Sequence, residues 1–390
     1  MKILQIIVSL DPAGGGPAET AKQINVRFNR AGHRATVISL DSPGDAFPVD
    51  PSVNKLYLGP RYLKKWYSFS PRLLPWLKAH AREYDCVIVH GIWSYPGFAA
   101  WLALRNSGIP YFVFVHGMLD PWFKKAYPLK HLKKLLYWPW AEYRVLRDAK
   151  AVLFTCEEER LLARKSFRLY RCKETVVPYG IASPPADAEE QRKIFFEKFP
   201  HLRGKRIVLF LGRIHPKKGC DMLLDAFVRT AHSDVSLHLV LSGPDQLGWR
   251  AKLEDRAREL GVSGRVTWTG MLHGNLVWGA FYAAEVFVLP SHQENFGISA
   301  VQAMSCGVPV LITDKVNIWR EILGGGAGFA DKDDLSGIIG LLNKWLGLTP
   351  EQRSLMSEKA KACFLKSFRI EGTMSELTAV LEEAVRGRGS

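Results

Sequence analysis

Short apolar runs alternate with longer stretches of mixed character along the first half of the chain. The runs that we interpret as β-strands cover residues 2–10, 34–40, 84–91, 110–117, 149–156 and 174–180. Strands that are apolar along nearly their whole length are typical of a parallel sheet with helices on both faces. The first half is therefore predicted to be a doubly wound α/β domain.

The alternation lapses at "GIASPPADAEEQ" (180–191), a proline-containing segment without an apolar pattern that we interpret as a linker. Strand-like runs return after the linker, at residues 205–214, 235–244, 264–272, 285–291 and 308–314. A helical tail follows them and begins near Thr349. No short repeat appears, which favours two similar domains over a solenoid. We predict domains over 1–182 and 183–368 and a C-terminal helix over 369–390, for which a return to the first domain is one option. Two doubly wound domains that face each other are expected to bind a ligand at the carboxyl ends of their strands.

Composition narrows the class of protein. The 390 residues are 47% hydrophobic and 23% charged, which is typical of a folded protein with a large core. The net charge of +15 favours an anionic partner, which would be a nucleic acid, a phosphorylated ligand or an acidic membrane surface. A basic surface without any partner would carry the same charge.

The cysteines and the N-terminus favour a reducing compartment. Six cysteines lie far apart and none forms a C-x-x-C pair, so neither a zinc ribbon nor a disulfide framework is indicated. The opening "MKILQIIVSLDPAGGG" breaks at Asp11 and Pro12, and we interpret it as a buried strand and not as a signal peptide. Since no apolar run reaches the length of a bilayer span, we expect a cytoplasmic protein with membrane contact only at its surface.

Two strand-to-helix loops have residues suited to a phosphate group. "GRIHPKKG" (212–219) follows the first strand of the second half, and its Arg213 and Lys218 can converge on one anion near a helix N-terminus. "DPAGGGPAET" (11–20) contains glycines 14–16, whose backbone amides can approach a phosphate. A solvated basic loop and an ordinary glycine turn are the alternatives for the two segments.

The segment "SHQENFGISAVQAMSCGVPV" places polar residues between a predicted strand and a predicted helix. Glu294 lies just before the helix, and Gln302 lies two turns inside it with a side chain that both donates and accepts. The first amides of a helix lack partners within the helix and are available to an oxygen-rich ligand; here they belong to Phe296, Gly297 and Ile298. Alternatively, Glu294 complements the helix dipole and Gln302 is solvated.

These two segments together resemble the retaining glycosyltransferases of family 4, the glycosyl transferases group 1, which have the GT-B fold. The family shows Gly-Arg-x4-Lys-Gly and, at a distance like that from Arg213 to Glu294, Glu-x7-Glu within a segment of the form S-x-x-E-x-F-G-x4-E-A-M-A-C-G-x-P-V. The resemblance extends over essentially the whole chain. It implies two Rossmann-like domains that face a central cleft, the first binding the acceptor and the second the nucleotide sugar.

The resemblance also assigns roles in the donor site. Arg213 and Lys218 would bind the donor diphosphate and neutralise the leaving group, while Glu294 would contact the hydroxyls of the transferred sugar. The position of Gln302 normally holds a glutamate that binds both ribose hydroxyls. The other residues implied at the nucleotide sugar are Gly15, Gly16, Met271, Leu272, Asn295, Phe296, Gly297 and Ile298.

Gln302 is the one departure from the family's pattern at these positions. The loss of a charge-assisted hydrogen bond costs roughly 1–2 kcal/mol, which predicts a donor affinity lower by about tenfold. A different nucleotide preference, or a degenerate protein that binds sugar nucleotides without catalysis, remains an alternative.

Two histidines follow strands of the first half. His116, in "FVFVHGMLDPW", matches the family's histidine beside the acceptor and the transferred sugar, and we predict a catalytic role for it with Glu294, Arg213 and Lys218. His90 is a second, weaker candidate. A satisfied histidine in the core is the commoner role for either residue.

The chemistry implied by these residues needs neither a cofactor nor a metal ion. No pair of carboxylates flanks the reacting sugar as in glycosidases, and "DKDD" (331–334) precedes an apolar helical run, so we interpret it as a helix N-cap. The charge of the leaving group would then be stabilised by Arg213, Lys218 and helix amides. The nucleotide-diphosphate sugar is a co-substrate. The family transfers the sugar from it with retained anomeric configuration.

Two basic, aromatic stretches, 120–150 and 62–76, lie in the half that the resemblance assigns to the acceptor. Such stretches are typical of helices that bind anionic lipid. We hypothesise that the enzyme docks on the inner membrane face and glycosylates a saccharide or lipid-linked acceptor in the synthesis of exopolysaccharide, O-antigen or capsule. The alternative is an ordinary helix with aromatic core contacts and solvated lysines. A nucleic-acid partner, which the charge alone allows, would leave both donor motifs unexplained.

Overall fold

The computed structural model describes residues 1–390 apart from 13–14, 46, 48, 64–66, 246 and 388–390. Gly14 of the glycine-rich loop and residues 64–66 of the second basic stretch therefore lie outside the described residues. The chain divides into two compact units, an N-terminal unit of Met1–Tyr179 with Thr373–Ser390 and a second unit of Gly180–Gly372.

The N-terminal unit contains a seven-stranded parallel sheet among its described residues, in the order β3-β2-β1-β4-β5-β6-β7. Its strands are β1 (Lys2–Ile7), β2 (Arg34–Ser39), β3 (Lys55–Tyr57), β4 (Cys86–His90), β5 (Tyr111–Phe114), β6 (Ala151–Phe154) and β7 (Glu174–Val176). The helices between them are α1 (Gly16–Arg30), α2 (Leu73–His80), α3 (Tyr95–Leu104), α4 (Trp122–Ala126), α5 (Pro128–Tyr137), α6 (Glu142–Asp148) and α7 (Glu157–Ala163). The predicted doubly wound sheet is confirmed.

The second unit repeats this architecture with a six-stranded parallel sheet, in the order β10-β9-β8-β11-β12-β13 within the described part of the chain. Its strands are β8 (Arg206–Leu211), β9 (Leu237–Ser242), β10 (Val266–Gly270), β11 (Ala284–Leu289), β12 (Val310–Thr313) and β13 (Gly328–Asp331). Its helices are α8 (Ala188–Lys198), α9 (Cys220–Thr230), α10 (Trp249–Glu259), α11 (Asn275–Ala283), α12 (Ile298–Ser305), α13 (Trp319–Gly324), α14 (Leu335–Leu346) and α15 (Pro350–Ser367). The last helix, α16 (Ile370–Arg386), starts in the second unit and continues in the N-terminal unit.

The strand interiors explain why the sequence folds in this way. Every residue of β4 is buried, as is every residue of β9, so both faces of each sheet are covered. Burial of a large aliphatic side chain stabilises the folded state by roughly 1.5–3 kcal/mol, and such side chains fill these strands. Polar side chains also lie in the core of the N-terminal sheet: Gln5 in β1 is fully buried, and its amide contacts Nε2 of the buried His90 in β4 at 2.9 Å.

Helix ends follow the capping residues seen in the sequence. Asp334 caps α14, since its carboxylate accepts a hydrogen bond from the backbone N–H of Gly337 at 2.8 Å. The interpretation of "DKDD" as a helix cap is thus confirmed. Gly307, at φ 76°, follows the end of α12 in the left-handed conformation that glycine adopts readily there. The linker is shorter than predicted, because Asp187 caps α8 and residues 188–191 are already helical.

Candidate functional site

Two of the predicted donor-site residues, Lys218 for the diphosphate and Glu294 for the sugar, lie at the carboxyl ends of adjacent strands in the second unit. Lys218 follows β8 and Glu294 follows β11, and these two strands are neighbours in the sheet. Their side chains form an ion pair between Nζ of Lys218 and Oε2 of Glu294. The structure therefore brings together two residues that are 76 positions apart in the sequence.

The loop after β8 is held tightly against the loop after β11. Residues Pro216–Lys218 form a 3-10 turn, and Gly219, at φ 66°, begins α9. A β-carbon on Gly219 would lie 2.2 Å from the backbone carbonyl oxygen of Pro290, so only glycine fits there. The backbone N–H of His292 donates to the carbonyl of Lys217 at 3.0 Å. These contacts fix Lys218 beside the β11 loop.

Glu294 is fixed from the opposite side by the loop that follows β12. Its backbone N–H donates to the carbonyl of Lys315 at 2.9 Å, and its carbonyl accepts from the N–H of Asn317 at 3.0 Å. Burial works to raise the pKa of the Glu294 carboxyl, but the charges of Lys218, Lys217 and Arg213 and the hydrogen bond from Lys218 hold that pKa below its ordinary value. Glu294 is therefore an ionised acceptor at neutral pH.

The N-terminus of α12 follows directly after Glu294. Gly297 adopts a left-handed conformation, with φ 71° and ψ 57°, and precedes the first helical residue, Ile298. Phe296 is buried and packs edge-on against Phe368, with the ring centroids 5.6 Å apart. The first amides of the helix and the Glu294 carboxylate thus belong to one rigid turn, which suits a ligand with several oxygen atoms.

The remaining predicted donor residues of this unit lie on elements around that turn. Arg213 is exposed, two residues after the end of β8, and Gln302 is half-buried on α12. Asn295 accepts a hydrogen bond from the amide of Asn317 at 3.4 Å. Met271 is 59% exposed and Leu272 is half-buried, and both follow β10 at the same carboxyl edge of the sheet. Their roles stay predictions.

In the N-terminal unit, His116 lies in a buried chain of ring contacts. Its Nε2 is 3.2 Å from Nδ1 of His90, and its Nδ1 forms a hydrogen bond with the hydroxyl of Tyr179. Burial lowers the pKa of His90 to about 3, and burial, together with His90, lowers the pKa of His116 far below its ordinary value. Both imidazoles are therefore neutral at pH 7, when each ring has one N–H and one acceptor nitrogen.

The backbone around His116 is held in an unusual conformation. His116 has φ 51°, a left-handed value that is uncommon for a residue with a side chain. The next N–H, of Gly117, donates to Glu159, whose other carboxylate oxygen accepts from the backbone and hydroxyl of Thr155 at 2.6 Å each. Neither Tyr179 nor Glu159 was predicted, because only the fold brings them to the loop after β5.

The glycine-rich loop after β1 leads directly into α1. Gly15, at φ 73° and ψ −145°, precedes the helix, and its N–H donates to the carbonyl of Pro12 at 3.0 Å. This backbone conformation is essentially restricted to glycine. Gly16 is the first residue of α1, so both predicted glycines lie at a helix N-terminus.

Two family models match the chain. The model for glycosyl transferases group 1 matches residues 191–362, and the model for the glycosyl transferase 4-like domain matches residues 15–180. The two models match the two architectural repeats separately, each within one unit apart from its boundary residues.

Similar proteins include glycosyltransferases of several bacteria. D-inositol 3-phosphate glycosyltransferase of Actinosynnema mirum is 30% identical over 291 residues, which are 67% of this chain and 63% of that protein. The lipopolysaccharide core biosynthesis mannosyltransferase LpsB of Rhizobium meliloti is 27% identical over 54% of this chain and 61% of its own length. The chain thus matches somewhat less than two thirds of the length of these relatives.

Among solved structures, HepE of Anabaena in complex with UDP is similar over 98% of this chain and 100% of its own. The TM-score is 0.78 and the sequence identity is 18%. At this identity the similarity establishes the fold, which is GT-B.

Proposed function

Since the chain belongs to the glycosyl transferases group 1, we propose that it is a retaining, metal-independent hexosyltransferase. Its donor is a nucleotide-diphosphate sugar, and its acceptor is a saccharide or a lipid-linked saccharide. The observation that carries this proposal is the ion pair of Lys218 and Glu294, placed beside the N-terminus of α12 and within the charge field of Arg213.

These residues suit the two ends of a nucleotide sugar. The ammonium of Lys218 has three donors, so it can keep its bond to Glu294 and also donate to a diphosphate oxygen. Arg213 adds a guanidinium that binds phosphate oxygens in pairs. The ionised Glu294 carboxylate is left to accept from sugar hydroxyls, and the amides of Gly297 and Ile298 add donors from the same turn.

Transfer breaks the bond between the anomeric carbon and the phosphate oxygen. The nucleoside diphosphate leaves with the bonding electrons, and Arg213 and Lys218 stabilise its new charge in place of a metal ion. The acceptor oxygen forms the new bond on the same face, and its proton passes to a phosphate oxygen of the departing diphosphate. We place neutral His116 beside the transferred sugar, where its N–H or its free nitrogen orients a hydroxyl.

The proposal is tested by incubating the protein with UDP-, GDP- and ADP-hexoses, with and without EDTA. We expect release of one nucleoside diphosphate at an unchanged rate in EDTA, and a product with the donor's anomeric configuration in its NMR spectrum. Abolition by EDTA would contradict metal independence, and an inverted product would contradict retention. Absence of any release at millimolar donor would favour the degenerate binder.

Gln302→Glu is expected to strengthen donor binding. The substitution restores a carboxylate that can accept from both ribose hydroxyls, and a charge-assisted hydrogen bond adds roughly 1–2 kcal/mol. Calorimetric titration with the preferred nucleoside diphosphate should show about a tenfold lower Kd. An unchanged Kd would mean that residue 302 does not face the ribose.

The proposed setting is cell-surface polysaccharide synthesis at the inner face of an anionic membrane. The similarity to a mannosyltransferase of lipopolysaccharide core synthesis supports the pathway. Helix α5 supports the location: no side chain of this fully described helix is buried, and four of its leucines are exposed. Among the described residues, no helix is long and apolar enough to cross a membrane. Contact would therefore be peripheral.

The triple substitution of Leu129, Leu132 and Leu136 by glutamine is expected to release the protein from anionic vesicles. These side chains are 78%, 57% and 71% exposed, so their loss removes lipid contacts without opening the core. Co-sedimentation at low salt should fall by at least about tenfold. Leu355→Gln, at a 50% exposed position on α15, is the control. Absence of sedimentation of the wild-type protein would contradict the membrane location.

A further inference from the structure

A cavity of about 280 Å³ lies under α5 in the N-terminal unit, and none of the predicted site residues lines it. Its lining combines cations with apolar rings, chiefly Lys124, Lys130, Lys134, Trp93, Phe123 and Phe167. Three lysines face one carboxylate, that of Asp120. The cavity is therefore positively charged. Consistent with this, burial and then the charges of Lys124 and Lys134 lower the pKa of His131, which also lines it.

Two of the three lysines of this cavity lie over aromatic rings. Nζ of Lys134 lies 4.4 Å from the ring centroid of Trp93, and Nζ of Lys130 lies 4.7 Å from that of Tyr127. Within the described chain, neither lysine nor Lys124 forms an ion pair. Burial lowers the pKa of Lys134 to about 8, with Glu142 opposing the shift and Lys130 adding to it. Glu142 thus offsets part of the charge of Lys134 from beyond ion-pair distance, and an anion bound directly at the ammonium would favour its charged form further.

Trp93 is built firmly into the cavity wall. It has φ 67°, and its backbone N–H donates to the fully buried carboxylate of Glu142 at 2.9 Å. Its indole N–H donates to the carbonyl of Met118 at 3.1 Å. Held at both ends in this strained conformation, Trp93 fixes the ring over which the Lys134 ammonium lies, and so fixes the position of that cation.

Met118 lines both this cavity and a second one of about 400 Å³ at the ends of β1 and β4. The second cavity is lined by His90, Gly91 and Ser94, next to the buried pair of His90 and His116. Met118 is thus the side chain between a phosphate bound among the lysines and the cavity beside these histidines.

We propose that the cavity under α5 binds the phosphate of a phosphorylated saccharide, and that Lys124, Lys130 and Lys134 are its phosphate ligands. This inference rests on the proposed function in one respect: it identifies the bound saccharide as the acceptor of the sugar transfer. The phosphate belongs either to a free sugar phosphate or to the head group of a lipid-linked sugar. In the second case the exposed leucines lie on the opposite face of α5, about one helix diameter of 10 Å from the lysines. A head group that projects from the bilayer surface would span that distance.

Calorimetric titration without donor tests the site with four probes: glucose, glucose 1-phosphate, inorganic diphosphate and farnesyl diphosphate. We expect glucose 1-phosphate and diphosphate to bind and glucose not to bind. Lys134→Ala should weaken phosphate binding by at least about tenfold, and Lys130→Ala with Lys134→Ala by about a hundredfold. Lys125→Ala is the matched control, because this exposed lysine of α4 lies outside the cavity lining.

Each outcome has a defined meaning. Tighter lysine-dependent binding of farnesyl diphosphate assigns the site to a lipid-linked head group, and equal binding assigns it to a free sugar phosphate. Equal effects of Lys125→Ala and Lys134→Ala, or no phosphate binding at millimolar probe, would overturn the proposal. A melting temperature of each variant equal to that of the wild type would exclude misfolding as the cause of weaker phosphate binding. The deciding quantity is the effect of the Lys130 and Lys134 substitutions, because diphosphate could also bind at Arg213 and Lys218. Loss of that effect overturns this site and leaves the proposed glycosyl transfer unaffected, whereas a failed titration with nucleoside diphosphates leaves the lysine effects unaffected.

Discussion

Lys218→Ala is expected to lower kcat/KM for sugar transfer by about a hundred- to a thousandfold. Loss of one preorganised donor to a charge that develops in the transition state costs this much in enzymes. Lys218 also helps to hold the pKa of Glu294 below its ordinary value, so the substitution removes both the proposed phosphate ligand and the ion-pair partner of the carboxylate that we propose binds the sugar. Initial rates over a donor concentration series would measure the loss.

The accompanying loss of stability should be modest. Breaking a fully buried ion pair costs roughly 3–5 kcal/mol, but the Lys218 and Glu294 side chains are 13% and 24% exposed, and solvent screens the remaining charge. Lys193→Ala, an exposed lysine on α8 whose carboxylate partner is 4.0 Å away, is the control and should leave the rate unchanged. A wild-type kcat/KM in the Lys218→Ala protein would contradict the assignment of Lys218 to the donor site.

Gly219→Ala is expected to destabilise the second unit by more than about 4 kcal/mol. The left-handed conformation alone costs an alanine roughly 1–2 kcal/mol. The new β-carbon would also lie 2.2 Å from the backbone oxygen of Pro290, which cannot yield without moving the loop that leads to Glu294. Thermal unfolding should show a midpoint lower by at least about 8 °C for a unit of this size.

Gly204→Ala separates the two causes of that loss. Gly204 also has a left-handed backbone, at φ 73°, but no atom would lie within 4 Å of its β-carbon. It should therefore lose only about 1–2 kcal/mol. Equal destabilisation by the two substitutions would show that the contact with Pro290 is unimportant.

Much of the fold could be predicted because its strands are buried on both faces. The strands that the pattern missed are at sheet edges or short: β3 has three half-buried residues, and β13 begins with Gly328 and has three half-buried residues after it. An edge strand has less apolar surface to cover, so its sequence carries a weaker signal.

The local geometry of the candidate site could be predicted where its residues are adjacent in the chain, as in the turn from Glu294 to Ile298. What the sequence could not reveal are contacts between distant loops. Glu294 is held by two hydrogen bonds, to Lys315 and from Asn317, and both join backbone groups. Backbone groups are the same in every residue, so the sequence gives no sign of these bonds. Likewise, the contact of Tyr179 with His116 joins residues 63 positions apart.

The cavity under α5 illustrates a different limit. Its lysines and aromatic residues were visible as a basic, aromatic stretch, but the sequence could not separate residues that line a cavity from residues that face solvent. Lys130 and Lys134 differ by one helical turn and share a face, whereas Leu129, Leu132 and Leu136 lie on the other. Only the folded structure shows that the face with Lys130 and Lys134 lines the cavity.

Calorimetric titration of UDP, GDP and ADP into the wild-type protein and into Arg213→Ala tests the central claim most directly. We predict that one of these nucleoside diphosphates binds the wild-type protein and that the substitution raises its Kd by at least about tenfold, because a bidentate guanidinium contact to phosphate is lost. Binding of none of them at millimolar concentration, or an unchanged Kd in Arg213→Ala, would contradict the assignment of the donor diphosphate to this turn.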